Sequence, residues 1–400
     1  MAAPKRASLA PPPPFLTPSR NALHSALAAL QEREYLRRAS ISDTRPRHEP
    51  AQGRTAGQAN TGERDWFAVG AASSRTNRDK NRYGDILAYD RTRCLPPLRT
   101  AAARDEAGYV NASLVREPDL GFDDDVLPRR WWVAAQAPVP HTVHDFLSLL
   151  LSPPTSLSHQ ASGPSEPLPL VNLVVQLTPL VEGRRQKCHP YFPTDFGATA
   201  RLASASGEAG QGVWVRLEGK EERDGARTSE LRVGREGDDQ GRRVVHVEYL
   251  GWRDHGVPDS PAHLVRFIHR IHALNASLSS PGPAAPILAH CSAGVGRTGT
   301  LLALSSLLPL LSHLARARPP LSSLPLPSED DAHPLGAYPA QRILGGGPGA
   351  VDYVGLTVDG LRDQRTTMCQ TAEQVQWVWE AARVAWDEGL LDGFEEADEE

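Results

Sequence analysis

Three features of the sequence predict an α/β or α+β fold in which a sheet is covered by helices. Apolar, β-branched runs at Trp131 to Ala135 and Leu170 to Leu177, with an alternating run at Val244 to Leu250, have the length and composition of strands. Between and after them lie stretches with apolar residues at helical spacing, the clearest being Leu264, Phe267, Ile268 and Ile271. Strands and helices mix without strict alternation, as expected for a sheet packed under helices.

Taken in order, residues 1 to 16 are rich in Pro and Ala and are expected to be disordered. Thr17-Pro18 has the form of an N-cap followed by proline, and Leu23, Leu27 and Leu30 then predict a helix near 18 to 38. The polar, aperiodic text from Ala39 to Gly70 is expected to connect or move. A helix is predicted from about Thr142, with Asp145 in the capping-box position and Phe146, Leu149 and Leu150 on its apolar side. Ser260-Pro261 opens the next helix, whose His263, His269 and His272 are expected at the surface rather than as ligands. The helix after Thr298 is apolar on nearly every face and is expected at the centre of the domain. A Pro-, Gly- and Ser-rich insertion follows near 317 to 350, then a capped helix from Thr371 with Gln374 three residues on, and an acidic tail at 391 to 400.

With 400 residues the chain can bury a large core, and with 40% apolar and 23% charged residues it reads as globular. The longest apolar stretch, Leu301 to Leu314, carries serines and Pro309 and is read as too short to span a bilayer; no leader pattern stands at the start. Location in the cytoplasm, with the nucleus as a second site, is the expectation. The four cysteines, Cys94, Cys188, Cys291 and Cys369, lack metal-ligand spacing and a disulfide pattern, so neither metal nor cofactor is expected and a reduced compartment fits. A net charge of −5 gives no indication of a nucleic-acid partner. The sequons at Asn111 and Asn275 are read as chance matches.

The chemistry concentrates in "HCSAGVGRTGT", residues 290 to 300. A strand ends at His290-Cys291, small residues form a loop, and a helix starts near Arg297, and His290 is counted with Cys291 and Arg297 among the expected catalytic residues. Backbone N–H groups of Ser292, Ala293, Gly294, Val295 and Gly296 can turn inward around an anion, and the helix adds the positive end of its dipole. Glycines let the backbone come close to that anion. Cys291 at the base of the cradle is expected to be a thiolate, and Arg297 to grip two oxygens of a tetrahedral anion with its planar fork. A thiolate beside a phosphate clamp is the logic of covalent phosphoryl transfer.

The string "HCSAGVGRTG" resembles the signature loop of the protein tyrosine phosphatases, and the likeness extends from roughly Leu16 to Trp386. The resemblance implies one catalytic domain over residues 17 to 390, a central twisted mixed sheet flanked by helices, and a fungal-like, non-receptor, phosphotyrosine-specific member. It also implies roles. "KNRYGD" is similar to the substrate-recognition loop, with Tyr83 stacking on the substrate ring and Asp85 accepting from its backbone. "YVNAS" and "QAPVPHT" resemble structural motifs, the second with Ala137 where glycine is usual. In "EGRRQKC", Glu182 would orient Arg297 and Lys187 would pair with the general acid. In "WRDHGVPDS", Asp254 would be that general acid and then the base, an assignment that acid–base logic supports; Arg253 stands where the family has proline. In "QTAEQ", Gln370 would place the hydrolytic water and Gln374 support it. Arg362 and Arg365 fit the family's basic residues near that loop, and Thr298 would help the cysteine leave.

Tyrosine-phosphorylated proteins are the implied partners, and no membrane insertion is implied. A dual-specificity or phosphoinositide phosphatase is a second reading, and a weakly active phosphotyrosine-binding module a third. "EYLRRASIS" offers Arg37 and Arg38 two residues before Ser40, a pattern for a basic-directed kinase and for docking of a protein kinase; arginines stabilising a helix C-terminus are the plainer reading. Oligomeric state is left open.

Overall fold

The computed structural model describes residues 11–44, 66–95, 109–161, 166–204, 212–252, 256–279, 281–327, 333–345 and 350–391. Among these, the strands are β1 (Ala112–Arg116), β2 (Trp131–Ala135), β3 (Leu173–Gln176), β4 (Val181–Glu182), β5 (Arg185–Gln186), β6 (Thr199–Leu202), β7 (Val213–Arg223), β8 (Ala226–Arg235), β9 (Arg242–Tyr249) and β10 (Ile287–His290). The helices are α1 (Arg20–Thr44), α2 (Gly70–Ser73), α3 (Val143–Ser148), α4 (Leu157–Ala161), α5 (Pro261–Leu278), α6 (Gly296–Ala317), α7 (Ala340–Ile343), α8 (Tyr353–Gln364) and α9 (Ala372–Asp387).

The main sheet has eight strands in the order β1-β2-β10-β3-β9-β8-β7-β6. Its centre is parallel, because β10 runs parallel to both β2 and β3, and β3 runs parallel to β9. Both margins are antiparallel. The mixed sheet under helices is the architecture expected. Central parallel strands are buried on both faces, which is why β2, β3 and β10 read as continuous apolar runs. Along β10, Ile287 and Ala289 pack into the core under α5, α6, α8 and α9, while Leu288 faces a second core that includes Phe146 of α3. The carboxyl end of β10 therefore opens at the middle of the sheet, the place where α/β folds gather their ligands.

Several boundaries differ from expectation. Pro14–Leu16 form a 3₁₀ turn with Phe15 and Leu16 buried, so the expected disorder does not reach residue 16. The Phe15 ring meets Tyr353 edge-on at 5.3 Å, and apolar burial offsets the entropy of ordering the turn. Residues 1–10 and 392–400, with the acidic tail, lie outside the described residues, as does 45–65 of the expected connector. Helix α1 runs on to Thr44. Thr142 does not cap α3 as predicted; its hydroxyl accepts from the Val139 N–H at 3.0 Å, and Asp145 instead meets His144 Nδ1 at 3.0 Å.

Helix α6 is as buried as predicted, but it is 22 residues long, apolar enough by composition to cross a membrane, and mostly enclosed in the protein core. The histidines of α5 are packed rather than superficial: His263 Nδ1 meets Tyr249 OH at 2.8 Å, His269 Nε2 meets the Leu390 carbonyl at 2.7 Å, and His272 Nε2 meets Ser305 Oγ at 2.8 Å. The described parts of the 317–350 insertion are pinned: Arg33 donates to the carbonyls of Leu335 (2.8 Å) and Gly336 (2.9 Å), and Tyr338 to Asp352 (2.8 Å). Asn111 and Asn275 are buried and hydrogen-bonded to Ile86 O and Ala285 O, as fits sequons without a role.

Candidate active site

Cys291 follows β10 directly, and the chain from 291 to 296 curls before entering α6. The curl needs glycine at 294. Its φ is +72°, and a Cβ there would lie 2.1 Å from the Ala135 carbonyl oxygen of β2. The Gly294 N–H donates to Cys291 Sγ at 3.2 Å, the inward orientation that the anion-cradle reading requires. Gly299 has a different reason: a Cβ would stand 2.2 Å from the Cys369 nitrogen, so the first turn of α6 must be bare for the 366–370 turn to pack on it.

A single buried side chain holds the loop from behind. Arg365, 0% exposed, donates to the carbonyls of Gly294 (2.8 Å) and Ala293 (3.1 Å), to Asn111 Oδ1 (2.8 Å) and to Ser113 Oγ (3.2 Å). By drawing the loop carbonyls outward it leaves the N–H groups facing the cleft. Arg365 has no carboxylate partner among the described residues, and burial pushes it down to about 10, still a cation at neutral pH. Arg362 performs a parallel task one turn earlier, donating to the carbonyls of Met368 and Cys369, both at 2.9 Å, and to Leu30 O at 3.0 Å. The clamped turn carries Thr367 and Cys369 at φ +53°, an unusual conformation for a β-branched residue, immediately before Gln370.

Cys291, Ser292, Ala293, Gly296 and Arg297 line one cleft of about 350 Å³ together with Tyr83, Asp85, Glu182, Lys187, Gln370 and Gln374. The cleft walls come from segments far apart in sequence, each tied to the cradle. Tyr83 OH lies 2.9 Å from Ser292 Oγ, which in turn donates to the Lys187 carbonyl at 2.8 Å. The Tyr83 loop is braced by Gln136, which accepts from the Arg82 N–H (2.9 Å) and donates to Lys80 O (2.7 Å), and by Asn81, which accepts from Asn111 and Tyr109. Arg297 is ion-paired to Glu182, donates to Leu177 O at 3.1 Å and lies 5.8 Å from the centre of the Trp252 ring. Glu182 is fixed by the Thr178 hydroxyl at 3.3 Å. Gln374 and Thr371 form the predicted reciprocal cap of α9, and Gln374 Nε2 also donates to Gly256 O at 3.4 Å.

Three expected residues stand differently. His290 is not in the cleft: its Nε2 meets Tyr191 OH at 2.8 Å and its Nδ1 the Cys291 carbonyl at 3.2 Å, within the core that holds Phe146. Burial pushes it down to about 4, so it is neutral and positions the loop rather than exchanging protons there. Lys187 pairs with Glu182 at 3.6 Å. Its expected partner Asp254, and Arg253, lie outside the described residues; the described flanks are Trp252, which donates to Gly256 O at 3.3 Å, and Gly256 itself. Thr298 is buried in the first turn of α6 with no hydrogen-bond partner for its hydroxyl among the described residues.

The kinase pattern also changes. Arg37 is fully buried in ion pairs with Asp359 (2.7 Å) and Asp363 (2.6 Å), and Ser40 lies within α1 with its hydroxyl donating to Leu36 O at 3.1 Å. A kinase cannot read an arginine that is enclosed, and the helix does not end there, so neither the basic motif nor the helix-terminus reading stands. What sequence reasoning passed over are the bracing residues: Asn111, Ser113 and Gln136 sit inside motifs it noted only as structural, and the depth of Arg365 had no local signal.

The protein-tyrosine phosphatase family model matches residues 77–156 and 169–319. The chain is 31% identical over 245 residues to the mouse non-receptor type 13 tyrosine-protein phosphatase, covering 60% of this chain and 8% of that protein. It is 29% identical over 318 residues to the Arabidopsis thaliana protein-tyrosine-phosphatase PTP1, covering 78% of this chain and 71% of the relative. A human receptor-type relative, tyrosine-protein phosphatase C, is 31% identical over 60% of this chain and 16% of its own length.

Proposed function

The chain belongs to the protein-tyrosine phosphatase family, and from that premise we propose that it hydrolyses phosphotyrosine in proteins through a phosphocysteine on Cys291. The observation that carries this reading is the single cleft that unites Cys291, Arg297, Tyr83 and Gln370.

In the first step the Cys291 thiolate attacks phosphorus while Asp254 gives a proton to the departing tyrosine oxygen; in the second, water oriented by Gln370 attacks the phosphocysteine, Asp254 takes its proton and the thiolate leaves. The inward N–H groups, the N-terminus of α6 and Arg297 hold the phosphoryl oxygens, whose charge is the main thing such a site must stabilise. The Glu182 pairing orients the guanidinium fork. A tyrosine-walled slot favours a long aryl phosphate, since a phosphoserine would not span it. The phosphoinositide alternative lacks support from the loop, which carries Ser292, Ala293 and Val295 where lysines would serve an inositide.

The domain reading, one catalytic domain over 17 to 390, and a cytoplasmic or nuclear location belong to the same proposal. A panel of phosphotyrosine, phosphoserine and phosphoinositide substrates tests it: turnover confined to phosphotyrosine, abolished by Cys291→Ser and strongly reduced with substrate trapped by Asp254→Ala, is the expected result. Equal turnover of phosphoinositide would favour the alternative. Arg253 replaces a proline that would stiffen its segment, so Arg253→Pro is expected to change the turnover and its pH profile; an unchanged profile would remove that role.

A further inference from the structure

One wall of the candidate active site is the hairpin of β4 and β5, whose Glu182 lines the cleft together with Lys187 just beyond it. The turn of this hairpin is two residues long and begins on Gly183, whose φ of +58° is the left-handed value that so tight a connection needs. Across the hairpin Glu182 is paired with Arg185, and the Lys187 N–H, donating to Leu180 O at 2.9 Å, carries the pairing one residue further. Directly paired residues share a face, as do residues two apart along a strand. Glu182, Arg185 and Lys187 therefore stand on one face, and the ion pair of Glu182 with Arg297 makes it the face turned to the cleft.

Glu182 has nothing left for the arginines of its own turn. Its Oε1 is taken by Arg297 and the Thr178 hydroxyl, and its Oε2 by Lys187 at 3.6 Å. Arg184 and Arg185 are exposed, and neither side chain has an ion pair or hydrogen bond among the described residues.

The other charges at the mouth do not cancel these two. On the Tyr83 wall Arg78 and Lys80 are matched in number by Asp79 and Asp85, and Arg82 is spent on the carbonyls of Ala137 (3.0 Å) and Pro138 (2.6 Å). At the start of α9 a single carboxylate, Glu373, stands beside Gly256, where an added Cβ would lie 3.3 Å from it. Two positive charges are thus gathered on one lip, above a cation, Arg297, that is already committed to the cradle. Planar guanidinium forks suit carboxylates and phosphates alike.

We infer that the hairpin reads a second anion on the substrate, a carboxylate or phosphoryl side chain in the segment flanking the phosphotyrosine, and that Arg184 and Arg185 determine this specificity. The inference rests on the phosphotyrosine reading above and adds to it the class of sequence preferred. Both arginines touch only the flank, which changes little as the phosphoryl group transfers, so the selection falls on KM rather than kcat.

The test gives the full chain three phosphotyrosyl peptides of equal length, flanked by glutamates, by phosphothreonines or by lysines. The glutamate peptide should exceed the lysine peptide in kcat/KM by about fivefold to tenfold, the product of two exposed charge pairs, with the difference carried by KM. Substituting Arg184→Gln and Arg185→Gln together should bring that ratio toward one, and Arg184→Glu with Arg185→Glu should invert it. Each ratio is taken within one protein, so a general loss of activity in a variant cancels. A gain for either anionic peptide supports the inference: a larger gain for phosphothreonine assigns the second anion to a phosphoryl group, and equal gains assign it to a carboxylate. The same ratios are read as Kd on the Cys291→Ser protein by fluorescence anisotropy, without chemistry. Preferential binding with no turnover by the unsubstituted chain would overturn the proposed activity and leave the inference standing. Turnover of all three peptides at equal kcat/KM, or a preference that survives both double substitutions, would overturn the inference alone, and binding of none of the peptides would overturn both.

Discussion

Arg365 and Arg37 are both buried to 0% exposure, yet they are compensated in opposite ways. Arg37 binds two carboxylates, Asp359 and Asp363, and Arg33 adds a second fork to Asp359, so the charges cancel and α1 is bound to α8. Burial alone would weaken the Arg37 cation, but the two aspartates raise it above the ordinary arginine value. In the same cluster burial opposes the Asp363 charge, while Arg37 and His333 hold its carboxyl below the usual range. Arg365 is given only carbonyls, an amide and a hydroxyl, all neutral. Its positive charge is left to act on whatever sits in the cradle whose carbonyls it holds. A cancelled charge serves the fold; on the proposed function, the uncancelled one serves the phosphoryl anion.

The comparison can be broken most severely at Arg365. Arg365→Met should lower kcat/KM about 10²–10³-fold, the range found when one preorganised donor is lost, with orthovanadate affinity falling alongside and the far-UV spectrum retained. Retained vanadate affinity would show that Arg365 only supports structure. Asp359→Asn should do the reverse, costing about 3–5 kcal/mol of unfolding free energy because Arg33 loses its carboxylate and Arg37 one of its two, with kcat/KM essentially unchanged. Urea denaturation beside steady-state kinetics separates the two.

A smaller effect sharpens the contrast by way of groups buried without any charge. Burial pushes His290 down to about 4 and His246 down to about 3, both below the unfolded histidine value of about 6.5. The folded state therefore binds fewer protons than the unfolded state in this window, so their contribution to stability is present above pH of about 6.5 and is lost as pH falls through the folded values. The unfolding free energy should fall between pH of about 6.5 and about 4, and His246→Phe should make that fall shallower by roughly 3 kcal/mol. An identical slope in the variant would remove His246 from the account.

How far the sequence disclosed this arrangement depends on how local each feature is. The cradle was legible because strand, loop and helix start lie in one unbroken string, and the glycines at 294 and 299 prove to be steric necessities. Helices α5, α6 and α9 were legible from caps and apolar period. The long β7–β8 hairpin was not, since its exposed halves are charged and pair through side chains such as Arg232 and Glu218 rather than through an apolar run; the alternation Val213, Val215, Leu217 was its available signal. Helix α8 was passed over because Asp359, Arg362 and Asp363 look like surface charges until their partners on α1 and in the 366–370 turn are known. His290 was misplaced for a geometric reason: adjacent residues leaving a strand point to opposite faces, so the neighbour of a cleft residue faces the other core.

The central claim is that Cys291 forms a covalent bond to the phosphoryl group. Rapid quenching of a Gln370→Ala variant during turnover of a phosphotyrosyl peptide, followed by peptide mass spectrometry, tests it directly. A phosphoryl adduct on the peptide containing Cys291, absent from Cys291→Ser, is the result expected; turnover by the Cys291→Ser protein, or an adduct on another residue, would contradict it.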